Sequence, residues 1–197
     1  MVERLCREPG LRLSLLDFSE GPVERPTLAG GIQDASGQAF VTIMQGCDNF
    51  CAYCVVPYTR GRQKSRASAA ILDECRAFLD RGVREITLLG QNVNSWGLDR
   101  YGEGLGFGDL LRRVAALPGL ARLRFTTSHP KDVAPEVIAA FAELENLCPQ
   151  LHLPLQSGSD RVLKAMGRRY TLARYLETVA GLRRARPDLA LSTDLIV

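Results

Sequence analysis

The sequence predicts an α/β fold with parallel strands, arranged as a barrel or an open sheet. Three observations carry this expectation. From Ala39 onward, strand-like runs alternate with helix-like runs. The stretches between successive strands are long enough to hold a helix, as a parallel crossover requires. The 197-residue chain is 46% hydrophobic, which allows one sizeable core and argues against disorder.

Residues 1–38 show no regular pattern. Val2, Leu5 and Cys6 suit a short helix end, and Leu11, Leu13, Leu15 and Phe18 an extended apolar run. The stretch 21–37, rich in glycine, proline and polar residues, reads as a linker. The core therefore spans 39–197. A first strand is predicted over 40–45. Ser68 then suits an N-cap, and Ile71, Leu72, Cys75, Phe78 and Leu79 recur at helical spacing until Gly82. A second strand follows over 85–89, and a helix over 109–117 ends at Pro118-Gly119. The pattern continues with a strand over 123–127, a helix over 135–147 and a strand over 151–155. Helices over 160–166 and 172–186 precede a fifth strand over 189–197.

Alternation along these strands separates two faces. His152, Pro154 and Gln156 oppose Leu151, Leu153 and Leu155; Arg122, Arg124, Thr126 and Ser128 oppose Leu123 and Phe125; Ser192 and Asp194 oppose Leu191, Thr193 and Leu195. Helices cover the apolar face. The polar face should line the interior and form a ligand cavity.

A net charge of +3 is too mild to establish a nucleic-acid partner. Lysine occurs only at Lys64, Lys131 and Lys164, so arginine, the better phosphate fork, dominates the 25 basic residues. The first ten residues lack an apolar signal core, and no stretch approaches the ~20 apolar residues of a membrane span. A thiol-reducing cytoplasm is the expected compartment, where clustered cysteines signal metal or catalysis rather than crosslinks.

The strongest motif is Cys47-x-x-x-Cys51-x-x-Cys54, directly after the first strand. Thiolates select iron–sulfur clusters or zinc. Three in one tight loop can hold three corners of a cubane and leave the fourth iron open for chemistry, whereas electron-transfer clusters usually take four cysteines. A closed zinc site needs a fourth ligand. His129 and His152, the two histidines of the chain, lie outside the loop. Gly46 permits a close turn, and Tyr53 could pack near a bound ligand. Cys75 falls on an apolar helix stripe, and Cys148 has no evident partner.

The cysteine loop resembles that of the radical S-adenosylmethionine (SAM) superfamily. The longer words around it resemble the MiaB-type tRNA methylthiotransferases: Ala39-Phe40-Val41-Thr42-Ile43-Met44-Gln45-Gly46-Cys47, Val55-Val56-Pro57-Tyr58-Thr59-Arg60-Gly61-Arg62, Leu88-Leu89-Gly90-Gln91-Asn92-Val93-Asn94-Ser95, Thr127-Ser128-His129-Pro130 and His152-Leu153-Pro154-Leu155-Gln156-Ser157-Gly158-Ser159. The sister RimO-type enzymes, which act on a ribosomal protein, share the loop but differ at the exit of the second strand.

The resemblance implies a partial parallel (β/α) barrel of about five βα units, with the last strand or strands missing. It implies that Cys47, Cys51 and Cys54 hold a 4Fe-4S cluster whose open iron takes SAM. Reductive cleavage of SAM would give a 5′-deoxyadenosyl radical for methylthiolation of an isopentenylated adenosine beside the tRNA anticodon. Gln91, Asn92 and Asn94 are then candidates for the SAM amino group. Gln156, Ser157 and Ser159 are candidates for its ribose or carboxylate, and Asp194 lies on the fifth strand that leads into the family's SAM-binding turn. Ser159 equally suits a helix N-cap. Arg60, Arg62, Lys64 and Arg66 could steer tRNA phosphates or form a solvated basic loop. Partners implied are tRNA and an electron donor such as flavodoxin or ferredoxin. Residues 1–38 are expected to be the remnant of a linker after an absent N-terminal methylthiotransferase domain. Two other classes stay open on the same loop: a cluster-binding electron carrier, and an RNA-binding fragment without catalysis.

Overall fold

The computed structural model describes residues 37–196; residues 1–36 of the expected linker, Cys6 among them, and Val197 lie outside them, while Gln38 of that linker begins the first strand. In chain order the elements are β1 (Gln38–Thr42), β2 (Met44–Gln45), α1 (Val56–Thr59), β3 (Lys64–Ser65), α2 (Ser68–Asp80), β4 (Glu85–Leu89), α3 (Phe107–Ala115), β5 (Arg122–Phe125), α4 (Pro135–Glu143), β6 (Gln150–His152), α5 (Asp160–Ala165), α6 (Leu172–Ala185) and β7 (Ala190–Ser192), with 3-10 turns at Val93–Ser95 and Pro130–Asp132.

The five long-crossover strands run parallel and in sequence order. β1 pairs with β4, β4 with β5, and β6 with β7. Between β5 and β6 the ladder narrows to one residue. Leu123 N donates to Asn146 O (2.8 Å) and Cys148 N donates to Leu123 O (2.9 Å). The sequence of strands is that of a (β/α) barrel wall, as expected.

Apolar alternation chooses the packed face. Ala39, Val41, Ile86, Leu88, Leu123, Leu151 and Leu153 are all buried and share one core with Ile71, Cys75 and Phe78 of α2, Leu110, Leu111 and Val114 of α3, and Val137 and Phe141 of α4. Phe125 joins it, edge-on to Phe107 at 5.1 Å and tilted against Phe141 at 5.8 Å. Cys75 is thus a core residue, and burial pushes its thiol up to about 12.

The opposite face is polar, but at the N-terminal ends of the strands it is not a cavity. Glu85 opposes Arg122 in register and accepts from Arg122 Nε and from Arg124 Nε (2.8 Å), while Arg124 Nη1 donates to Gln150 Oε1 (2.6 Å). There these side chains satisfy one another, and open space lies at the C-terminal ends.

Several boundaries differ from the sequence expectation. The strand expected over 40–45 breaks at Ile43, and β2 leaves the parallel sheet to pair antiparallel with β3. Ile43 and Met44 are both fully buried, so two successive side chains face the core and alternation is lost. Ser68 is the first helical residue rather than the cap. Its N (3.3 Å) and Oγ (2.5 Å) both donate to the Glu103 carboxylate, which supplies negative charge at the start of α2. Helix α3 begins at Phe107 because Asp109 Oδ2 reaches back to Gly106 N (3.0 Å). Helix α4 ends at Glu143, short of 147, because Asn146 turns back to Ala115 O (2.9 Å) and Leu147 joins β5. The strand expected over 123–127 stops before Thr127, whose φ is +71°. The fifth strand is short, although Gln156 still bridges Leu195 beyond it.

Candidate functional site

The cysteine loop begins where β2 ends, at the C-terminal edge of the parallel strands. Two backbone anchors set its entry. Gly46 N donates to Gln91 Oε1 (2.7 Å), and Cys47 N donates to Gly61 O (3.3 Å). Gly46 has φ +76°, and a Cβ there would lie 2.2 Å from Arg62 O, so glycine is required on both counts. The sides of the loop are pinned as well. Asp48 accepts from Gln63 N (3.0 Å) and pairs with Arg62 Nε (2.7 Å), Asn49 Nδ2 donates to Asp132 Oδ2 (3.1 Å), and Ala52 N donates to Met166 O (2.9 Å).

Cys47 and Cys51 are buried and Cys54 is partly buried. Burial pushes the Cys47 thiol above the usual range, and the nearby Cys51, Cys54 and Asp132 push the same way when charged. A thiol placed as Cys47 is resists ionising alone, and a bound metal removes its proton. Among the described residues, no three His, Cys, Asp or Glu converge on one metal ion. A single zinc would hold thiolates at about 2.3 Å from one point; a cubane spreads them over three irons.

Two cationic or donor groups face Cys51, and the sequence reading had assigned neither. His129 Nε2 lies 3.8 Å from Cys51 Sγ. Its Nδ1 accepts from Lys131 N (3.2 Å), which leaves the proton on Nε2, toward the sulfur. Burial first, and the Arg168 charge second, lower the His129 pKa to about 3, so the ring is neutral. Arg168 Nη1 donates to Cys51 Sγ at 3.6 Å and to Tyr53 Oη at 3.3 Å, while Nη2 donates to Pro154 O at 3.0 Å. Tyr53 itself is 47% exposed and borders the loop through this arginine.

The candidate amides separate. Gln91 lines a cavity of about 330 Å³ with Thr42, Met44, Gln45, Arg60 and Thr127, at the strand ends beside the cysteine loop. That volume is within the range of small-molecule pockets. Asn92 turns the other way and donates to Asp132 Oδ2 (2.6 Å), bordering a second cavity of about 340 Å³ with Asn49 and Asp132. Asn94 is buried, and neither its Nδ2 nor its Oδ1 has a partner among the described residues; the same holds for Ser128 Oγ and Asn92 Oδ1. Of these, Asn92 Oδ1 belongs to a residue that borders a cavity with Asn49 of the loop, where a polar guest would satisfy it.

At the exits of β6 and β7, Gln156 has φ +74° and its backbone pairs with Asp194 O and Ile196 N, both at 2.9 Å. Asp194 carries its carboxylate to His152 Nε2 (3.3 Å), and Ser192 Oγ meets His152 Nδ1 (3.0 Å). Ser157 Oγ accepts from Ser159 N (3.3 Å). Ser159 occupies the N-cap position of α5, but its side chain makes no cap bond. The structure links this cluster to the cysteine loop through Arg168, which touches both Cys51 and Pro154.

The expected basic loop is not uniform. Arg66 is buried, paired with Glu74 at 2.7 Å and donating to Thr42 O, so it is a structural tie rather than a phosphate contact. Arg62 is paired with Asp48, and Lys64 lies in β3. Arg60, by contrast, opens into the cavity beside Gln91. Signals for the groups missed were thin. Asp132 and Arg168 sit in short connections with no periodicity, and His129 stands in a turn before Pro130.

A sequence model of the radical SAM superfamily matches residues 41–197. The chain is 68% identical over 197 residues to a tRNA-2-methylthio-N(6)-dimethylallyladenosine synthase of Nitratidesulfovibrio vulgaris, covering 100% of this chain and 43% of that protein. A relative of the same name from Oleidesulfovibrio alaskensis is 63% identical, covering 100% and 42%. The chain thus spans less than half the length of these curated relatives. Among solved structures, the radical SAM methyltransferase TsrM of Kitasatospora setae, with cobalamin and a [4Fe-4S] cluster bound, superposes with a TM-score of 0.58 at 20% identity, covering 79% of this chain and 30% of that one. The cobalamin-dependent radical enzyme OxsB superposes at 0.60 and 12% identity, covering 80% and 23%. At these identities the likeness is one of fold.

Proposed function

The chain belongs to the radical SAM superfamily, and we propose that it is the radical-generating core of a tRNA methylthiotransferase. Cys47, Cys51 and Cys54 would hold a 4Fe-4S cluster. Such a cluster, when bound, would supply the electron for reductive cleavage of SAM to methionine and a 5′-deoxyadenosyl radical. The acceptor is an isopentenylated adenosine beside the tRNA anticodon, and the electron comes from a carrier such as flavodoxin or ferredoxin in the cytoplasm. Among the described residues no helix is long and apolar enough to cross a membrane.

The rest of the chemistry falls to the protein. Gln91 fixes the loop entry through Gly46 N and lines a cavity that would take part of SAM. Asn94 offers an unpaired amide, and Asn92 is oriented by Asp132. Gln156, Ser157, Ser159 and Asp194 stand at the exits of β6 and β7 as candidates for the far end of SAM, and Tyr53, within the loop, is held by Arg168. A radical that attacks inert C–H bonds must meet substrate before water, which a recessed site at the strand ends favours.

The observation that carries this reading is the three-cysteine loop, with Cys47 and Cys51 buried, pinned at the C-terminal end of the parallel strands. Anaerobic reconstitution with iron and sulfide, followed by dithionite and SAM, should yield 5′-deoxyadenosine. Cys51→Ala should yield none. Equal product from that variant would reject the ligand assignment. Mass analysis of tRNA incubated with the complete protein would then show the added methylthio mass on isopentenylated adenosine; an unmodified tRNA alongside active SAM cleavage would reject the substrate.

A further inference from the structure

Arg168 is 4% exposed, in the connection between α5 and α6. A guanidinium buried this deeply is costly unless an anion faces it. Its partners are the Tyr170 hydroxyl (3.1 Å to Nε), the Tyr53 hydroxyl, the Pro154 carbonyl and the Cys51 sulfur. None is a carboxylate. The Cys51 sulfur is the partner that carries negative charge once it binds metal. The position of Arg168 is also fixed from behind. Gly167 has φ +71° and packs against the backbone of Phe50, Cys51 and Ala52, and Met166 O accepts from Ala52 N. The guanidinium lies 5.3 Å from the Tyr170 ring centre, which limits its movement.

We infer that Arg168 is a positioning residue that, together with His129 Nε2, holds the Cys51 sulfur and makes the bound cluster easier to reduce. The inference rests on the radical SAM reading above. Reduction adds one electron and hence one negative charge to the cluster. A fixed positive charge and N–H donors at a ligating sulfur stabilise the reduced form more than the oxidised one, and so raise the potential. The electron comes from a one-electron donor, dithionite in the test, which is oxidised; no bond is made or broken and Arg168 keeps its proton. Because the same guanidinium grips Pro154 O at the exit of β6, it also ties the cluster loop to the wall bearing Gln156 and Ser157.

The test is a redox titration, followed by electron paramagnetic resonance, of the full chain reconstituted with iron and sulfide and without SAM. Arg168→Met should reduce at least tenfold less readily, a downward shift of about 59 mV for one electron. Arg168→Gln, which keeps donors but no charge, should also shift down, and Arg168→Lys should recover most of the loss. Uncharged variants that fold but take up no iron, beside a lysine variant that does, would report the same need for charge through metal content. Equal midpoints for the wild type and either uncharged variant, all fully loaded, would overturn the inference, as would a lysine variant that behaves like methionine. A wild-type chain that takes up no iron and sulfide would overturn the cluster reading and this inference with it.

Discussion

Replacing Gly46 with alanine should open the cysteine loop at its root. At φ +76° an L-residue is disfavoured by about 1–2 kcal/mol. The new Cβ would stand 2.2 Å from Arg62 O and 2.5 Å from Gly61 O, where real Cβ atoms do not come closer than 3.0 Å. The 61–62 backbone must therefore recede by about 0.8 Å to relieve the nearer contact. Gly61 O is the acceptor for Cys47 N at an already long 3.3 Å, so the retreat breaks that bond and costs a further ~1 kcal/mol. Together with the residual clash, the loss is about 3 kcal/mol, a large fraction of a typical domain's stability. Urea unfolding of the metal-free chain should show that loss if the loop stays closed. If the loop opens instead, iron bound per chain after reconstitution should fall to well below half of wild type. A Gly46→Ala chain within about 0.5 kcal/mol of wild type and fully loaded with iron would refute this account of the turn.

Two further outcomes follow from the scaffold. Burial works against ionisation of Glu85, but Arg122 and Arg124 outweigh it and hold its carboxyl below the usual range. A lowered native pKa gives stability that is complete above the unfolded carboxylate value of about 4.3 and is lost as pH falls through the native one. Glu85→Gln should therefore flatten the acid limb of a stability-against-pH curve measured by denaturant midpoints; an unchanged limb would show that the pair does not couple to folding. Phe141 is fully buried against Phe125, and Phe141→Ala should cost about 3–5 kcal/mol in chemical unfolding. A loss below about 1 kcal/mol would contradict its place in the core.

Local chemistry was legible in the sequence. Apolar alternation on 85–89 and helical spacing from Ile71 to Leu79 place side chains within a few residues of one another, and they mark the packed face without knowledge of the partner. The cysteine spacing likewise sets three sulfurs in one loop regardless of what surrounds it. The boundaries slipped where a remote group took over: Glu103 for the start of α2, and Leu147 drawn to β5 for the end of α4.

The sequence by itself determined the parallel α/β plan and the position of the three cysteines after the first strand, because both are written in short-range pattern. The tertiary structure alone decided which groups face those cysteines. Arg168 reaches Cys51 across 117 residues and His129 across 78, Gln91 and Asn92 diverge into different cavities although they are adjacent, and Arg66 is withdrawn from the basic run into an ion pair. The physical reason is common to all of these. A hydrogen-bond or ion-pair partner contributed by a distant connection is selected by packing, and it leaves no periodic trace in the residues that it will meet.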